Sequence, residues 1–163
     1  MRRLAVGGIA ALLILGMSAG GGAWAQDEEF FRRAGGFATF AEVVRLGAKK
    51  LALSAPMSPE EMDAFMQEAK RIAGEQGVEI YRERDFLVTD LFPADVTKGK
   101  HVILIYTGGT LDEYLALKDI KATLVEAGRY EGRVRAKVAR VFGHMLSYPD
   151  HVIDEKLAHA ARN

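Results

Sequence analysis

Apolar positions along this chain change period several times, and each change marks an element. Phe37, Phe40, Ala41, Val44 and Ala48 recur at helical spacing, which predicts a short amphipathic helix ending near Gly47. The preceding segment, 26–36, carries an acidic cluster, Phe30, Phe31 and a Gly-Gly pair, and reads as a leader tucked against the body by its phenylalanines. Residues 50–54 are a compact apolar run suited to a strand. Ser58, Pro59 and Glu61 then combine an N-cap serine, a proline in the first helical position and a capping-box glutamate. Met62, Phe65, Met66, Ala69, Ile72 and Ala73 make the buried stripe of that helix, and Gly77 is placed to stop it. Its methionines read as core packing rather than as a lipid or cofactor surface. Residues 78–82 predict a second strand, so that 50–82 form a β-α-β unit with parallel strands.

A third apolar run spans 86–92, set off from the second by Glu83, Arg84 and Asp85 and stopped by Pro93; 94–100 is a polar loop. Residues 101–106 (H-V-I-L-I-Y) have the unbroken apolar character of a central strand. Thr107-Gly108-Gly109-Thr110 breaks that strand. Helices are expected over 111–127, with Gly128 as the stop, over 129–147, and after Pro149 as far as 160. The pattern predicts an α/β fold: a small three- or four-stranded mixed sheet packed by helices, with a helical C-terminal third, in a single domain over 26–163.

The N-terminal pattern is of another kind. Met1-Arg2-Arg3 is positive, 4–17 is apolar, and Ala23-Trp24-Ala25 meets the small-x-small rule just before Gln26. Residues 1–25 therefore read as a secretory signal peptide. The apolar run falls short of the roughly 20 residues a spanning helix needs, so cleavage is expected, with no stable membrane insertion afterwards. The arginine pair lacks the polar surroundings of a twin-arginine signal. The expected location is periplasmic or secreted.

Composition narrows the field. Basic and acidic residues balance at 22 each, and losing Arg2 and Arg3 leaves a slight acidic excess, which argues against nucleic acid as a partner. With no cysteine, the chain has no disulfide, no thiol nucleophile and no lipid-anchored cysteine after cleavage, and an exported domain must rest on its core alone.

Candidate chemistry is sparse. His144, His151 and His159 lie among Asp150, Asp154 and Glu155, but complete no metal-binding spacing, and neither a metal nor a cofactor is expected. Arg129, Arg133, Lys137, Arg140 and His144 share one helix face opposite Val134, Val138, Val141, Phe142 and Met145; this reads as a solvated face behind a core face rather than a polyanion surface. Tyr148 and His151 flank a Pro149-Asp150 turn, an acid and a base without a nucleophile. There is no G-x-S-x-G and no H-E-x-x-H, and Ser54, Ser58 and Ser147 occupy turn or cap positions.

One constellation remains. If 83–85 reverses the chain and 94–100 reverses it again, 101–106 runs parallel to the first two strands and three carboxyl ends meet at one edge. Open α/β sheets bind ligands at that edge. Ser58, Arg84, Tyr106, Thr107, Gly108, Gly109 and Thr110 would line it, with two helix N-termini and an arginine to hold an anion. The 107–110 turn matches neither the dinucleotide fingerprint nor the P-loop. The leading expectation is an exported small-molecule-binding protein with an anionic or carboxylate ligand. One alternative is a periplasmic enzyme using the same pocket, with Arg84 stabilising charge. Another is an envelope accessory protein that binds other proteins through its helical C-terminal third. Turnover separates the first two, and an exposed apolar patch in place of a pocket marks the third.

Overall fold

The computed structural model of the chain describes residues 21–92 and 94–162, with side chains from residue 28 onward. The signal-peptide reading over 1–25 lies outside these residues apart from the backbone of 21–25. Six helices and three strands follow in the order α1 (Gly21–Arg45), β1 (Leu51–Leu53), α2 (Pro59–Gln76), β2 (Glu79–Glu83), α3 (Ala94–Thr97), β3 (Val102–Tyr106), α4 (Thr110–Glu126), α5 (Gly132–Met145) and α6 (Asp150–Ala160). This is the expected α/β class, with a small sheet and a helical C-terminal third.

All five residues of β3 are buried, as an unbroken apolar run requires. Its side chains alternate between two layers. Ile103 and Ile105 join Phe37, Ala41, Val44, Phe65 and Ala69 of α1 and α2. Val102, Leu104 and Tyr106 join Tyr114, Leu117, Val138 and Phe142 of α4 and α5. Helices thus cover both faces of the sheet, and Leu91, Ala139 and Ile153 form a satellite core beneath α6.

The local signals around α2 act as the sequence implies. Ser58 Oγ accepts from the Glu61 amide at 3.2 Å, and Glu61 Oε2 accepts from the Ser58 amide at 2.8 Å. Gly77 ends the helix in the left-handed region at φ 66°. The expected leader, by contrast, is part of α1, which runs unbroken through Gly35 and Gly36. Each of those glycines costs about 1 kcal/mol of helix propensity relative to alanine. Tertiary contacts offset that cost: Phe30 packs edge-on to Phe65 with centroids 5.8 Å apart, and Arg33 donates to Glu61 at 2.7 Å.

Sheet order corrects the expected topology. The strands run β1-β3-β2, and both ladders are antiparallel, so the sheet is not mixed in its pairings. β1 and β2 do point the same way around α2, but β3 lies between them, making a split β-α-β unit. The reason is in 86–92, which forms no strand. Phe86 and Phe92 instead pack edge-on to Phe142 of α5, at centroid distances of 5.7 and 5.8 Å. Side chains serve the backbone here: the Leu87 amide donates to Tyr114 Oη at 3.1 Å, and Lys121 Nζ donates to the Val88 carbonyl at 2.8 Å. Without a strand at 86–92 the chain reverses once rather than twice between β2 and β3. β3 therefore runs against β2, with Val102 opposite Glu83.

Candidate functional site

The reversal of β3 divides the strand-end constellation. Tyr106, its last residue, lies opposite Leu51 and Glu79, the first residues of β1 and β2. The 107–110 turn is therefore at one end of the sheet, and Ser58 and Arg84 are at the other. Ser58 is occupied by its capping box. Arg84 is exposed just beyond β2. Tyr106 is buried, and burial, then Glu79 and Asp112, push its phenol upward. Thr107 is exposed, Gly108 turns the chain at φ 59°, and Gly109 is the N-cap of α4. Thr110 donates its hydroxyl to the Thr107 carbonyl at 3.0 Å, a bond internal to the turn. None of the seven lines any of the three cavities described below.

Part of the C-terminal polar cluster pairs with itself. His144 Nε2 lies 2.9 Å from Asp150 Oδ1, a contact that, ahead of Arg140, holds the Asp150 carboxyl below the usual range. Arg140 also reaches Asp154, so the basic face of α5 is partly neutralised by α6. Val134 and Val141, expected on the core face, are exposed. The Tyr148 ring sits under Lys49 and Lys156, with Nζ atoms 5.2 and 5.8 Å from its centroid. Among the described residues no group of three acidic or histidine side chains is placed to hold a metal ion, and no helix is long and apolar enough to cross a membrane.

Three hollows stand out among the described residues. One of about 230 Å³ beside α1 is walled by Phe37, Phe40, Met57 and Phe65; of its two rim arginines, Arg33 is spent on Glu29 and Glu61, and Arg32 on Glu29. A groove of about 350 Å³ along the open edge of β1 is lined mainly by apolar groups, Phe40, Phe86 and Leu146 among them. The third is larger and chemically different. It has a volume of about 870 Å³ and lies between 88–91, Lys121 of α4, Tyr130 in the α4–α5 connection, Arg135 of α5, and the Val152, Glu155, Lys156 and His159 side of α6, with Arg162 beyond. Small-molecule sites commonly occupy about 300–1,000 Å³.

Charge sets this cleft apart. Lys121, Arg135, Lys156 and Arg162 face only Asp90 and Glu155, in a chain whose overall balance is neutral. Arg135 grips Asp90 with Nε at 2.8 and 3.0 Å from its two oxygens, a fork that also raises the guanidinium pKa. The Tyr130 hydroxyl is the one buried side-chain polar atom among the described residues without a hydrogen-bond partner. Burial, then Asp90, push that phenol upward, so it is a neutral donor at neutral pH. A buried hydroxyl left unpaired costs about 1–3 kcal/mol, a cost that a bound acceptor would remove.

The sequence marked His159 and Glu155 for a different reason and passed over Lys121, Tyr130, Arg135, Lys156 and Arg162 as site residues. Arg135 lies off the basic stripe read on α5, more than about 100° around the helix from it. Lys and Arg barely outnumber Asp and Glu over 110–163, nine to eight, so composition gave no signal of which of them converge. No match emerged from comparisons of the chain with known protein families, curated proteins and solved structures.

Proposed function

We propose that this chain is a small-molecule-binding protein that takes an organic anion, carboxylate-bearing in the first instance, in the cleft between 88–91, α4, α5 and α6. The ligand class is the one the sequence suggests, and the site is not. The observation that carries the reading is the unpartnered Tyr130 hydroxyl on the wall of a cleft where four basic side chains outnumber two carboxylates. A carboxylate there would accept from Tyr130 and meet the surplus positive charge, and apolar Val88, Leu91 and Val152 would cover the organic part of the ligand. Action in the periplasm or outside the cell belongs to the same proposal and is supported by the 1–25 pattern.

The test compares benzoate with benzyl alcohol by thermal shift and calorimetry at low and moderate salt. Benzoate should stabilise the protein and the alcohol should not. Tyr130→Phe and Arg162→Ala should each weaken benzoate by roughly fivefold to tenfold, the loss of one charge-assisted contact. Equal responses to the two compounds, or variants that bind as wild type does, would place any ligand elsewhere.

A further inference from the structure

Lys121 is tied to the backbone of the cleft wall. Its Nζ donates to a neutral acceptor, the Val88 carbonyl at 2.8 Å, and no ion pair joins it to a carboxylate among the described residues. The nearby Asp90 is already gripped by Arg135. Nζ lies 5.3 Å from the centroid of the Tyr130 ring, whose hydroxyl is buried and unpartnered. Burial lowers the Lys121 ammonium below the ordinary lysine range; Asp85 opposes this, while Arg135 and Lys118 act in the same direction as burial. A lysine so placed carries more neutral amine at physiological pH than a surface lysine does, and neutral amine is the form that attacks carbonyl carbon.

We infer that Lys121 captures an aldehyde or ketone bearing a carboxylate, as a reversible imine inside the cleft, with Tyr130 as the proton donor. The inference rests on the anion-binding reading of that cleft, which would hold the carboxylate. The amine lone pair of Lys121 attacks the carbonyl carbon and forms the C–N bond. The carbonyl π pair moves to oxygen, which Tyr130 protonates. The positively charged nitrogen of this adduct returns a proton to the Tyr130 phenolate, giving the neutral carbinolamine. Tyr130 then protonates the hydroxyl, which leaves as water as the nitrogen lone pair closes the C=N bond. The iminium N–H proton goes back to the phenolate. No oxidant, reductant or metal takes part, and hydrolysis by water runs the same steps backward.

The experiment uses 4-carboxybenzaldehyde with cyanoborohydride, which reduces the imine to a stable amine, followed by intact mass and peptide mapping. Labelling at Lys121 should outpace that at any other lysine severalfold, because burial holds its ammonium below the ordinary lysine range. Lys121→Arg keeps the cation and should abolish the fast labelling, and Tyr130→Phe should slow it severalfold without lowering the melting temperature. Excess benzoate should protect Lys121. Labelling of Lys121 no faster than the average lysine overturns the imine, even where benzoate still stabilises the protein and the anion site stands. Fast labelling of Lys121 that benzoate neither slows nor matches in a thermal shift keeps the reactive lysine and removes the anion reading instead.

Discussion

Gly143 of α5 and Ile153 of α6 approach so closely that a Cβ on the glycine would lie 2.8 Å from both Cγ1 and Cδ1 of the isoleucine. Leu91 Cδ1 would be 2.9 Å away on another side, and Ile153 is fully buried. The contact sets how near α6 can come to α5, and hence the width of the cationic cleft that α6 borders. Alanine at 143 would gain up to about 1 kcal/mol of helix propensity. Overpacking a site with no room to yield costs about 1–3 kcal/mol. Gly143→Ala should therefore lower stability in denaturant melts, and Ile153→Val in the same chain should recover part of the loss. A stabilised Gly143→Ala variant would mean that α6 is free to move outward.

Ile103 and Arg133 make the sharpest contrast in tolerance. Ile103 is 0% exposed at the centre of β3 and in the core beneath α1 and α2, whereas Arg133 is on the solvent side of α5. Ile103→Asp buries a carboxylate among apolar groups at a cost of several kcal/mol. Arg133→Ala should stay within about 0.5 kcal/mol. Urea midpoints of the two variants would decide the matter, and similar values would contradict a central β3.

The capping box of α2 should show in the pH dependence of folding. Glu61 is held below the usual carboxylate range, chiefly by the Ser58 amide and then by Arg33. A carboxyl with a lowered folded-state pKa stabilises the fold above its unfolded value and loses that contribution as pH falls through the folded one. Stability should accordingly decline on acidification below the ordinary carboxylate range, and Glu61→Gln should make that decline shallower. Ser58→Ala removes the reciprocal bond and should cost about 1 kcal/mol at neutral pH. An acid limb of the same slope in wild type and Glu61→Gln would show that the box adds nothing.

Processing at the expected junction has an optical signature. Trp24 is the only tryptophan, so an exported chain beginning at Gln26 should emit as tyrosine alone. The contacts of α1 with the body at Phe30, Arg33 and Phe37 lie beyond that junction. The processed form should melt within a degree or two of the full chain. Edman sequencing of the exported protein that returns Gln26 would confirm the cleavage, and a secreted species retaining 4–17 would contradict it.

Chemistry carried by near neighbours was readable before any fold was known. Ser58, Pro59, Glu61 and Gly77 bound α2 because caps and left-handed stops are made within a few residues of chain. Residues 101–106 were legible as a central strand, found at Val102–Tyr106, because an unbroken apolar run must be covered on both sides. Only the tertiary structure decided what became of 86–92. An apolar run of that length can be buried as a strand or as irregular backbone whose polar groups are met by distant side chains, and here Tyr114 and Lys121, both from α4, meet them. That choice turned β3 over and sent Tyr106 to the end of the sheet away from Ser58 and Arg84. The same holds for the cleft. Lys121, Tyr130, Arg135 and Lys156 come from α4, a connection, α5 and α6, and no spacing along the chain encodes their convergence, because it is set by how α5 and α6 pack around Gly143.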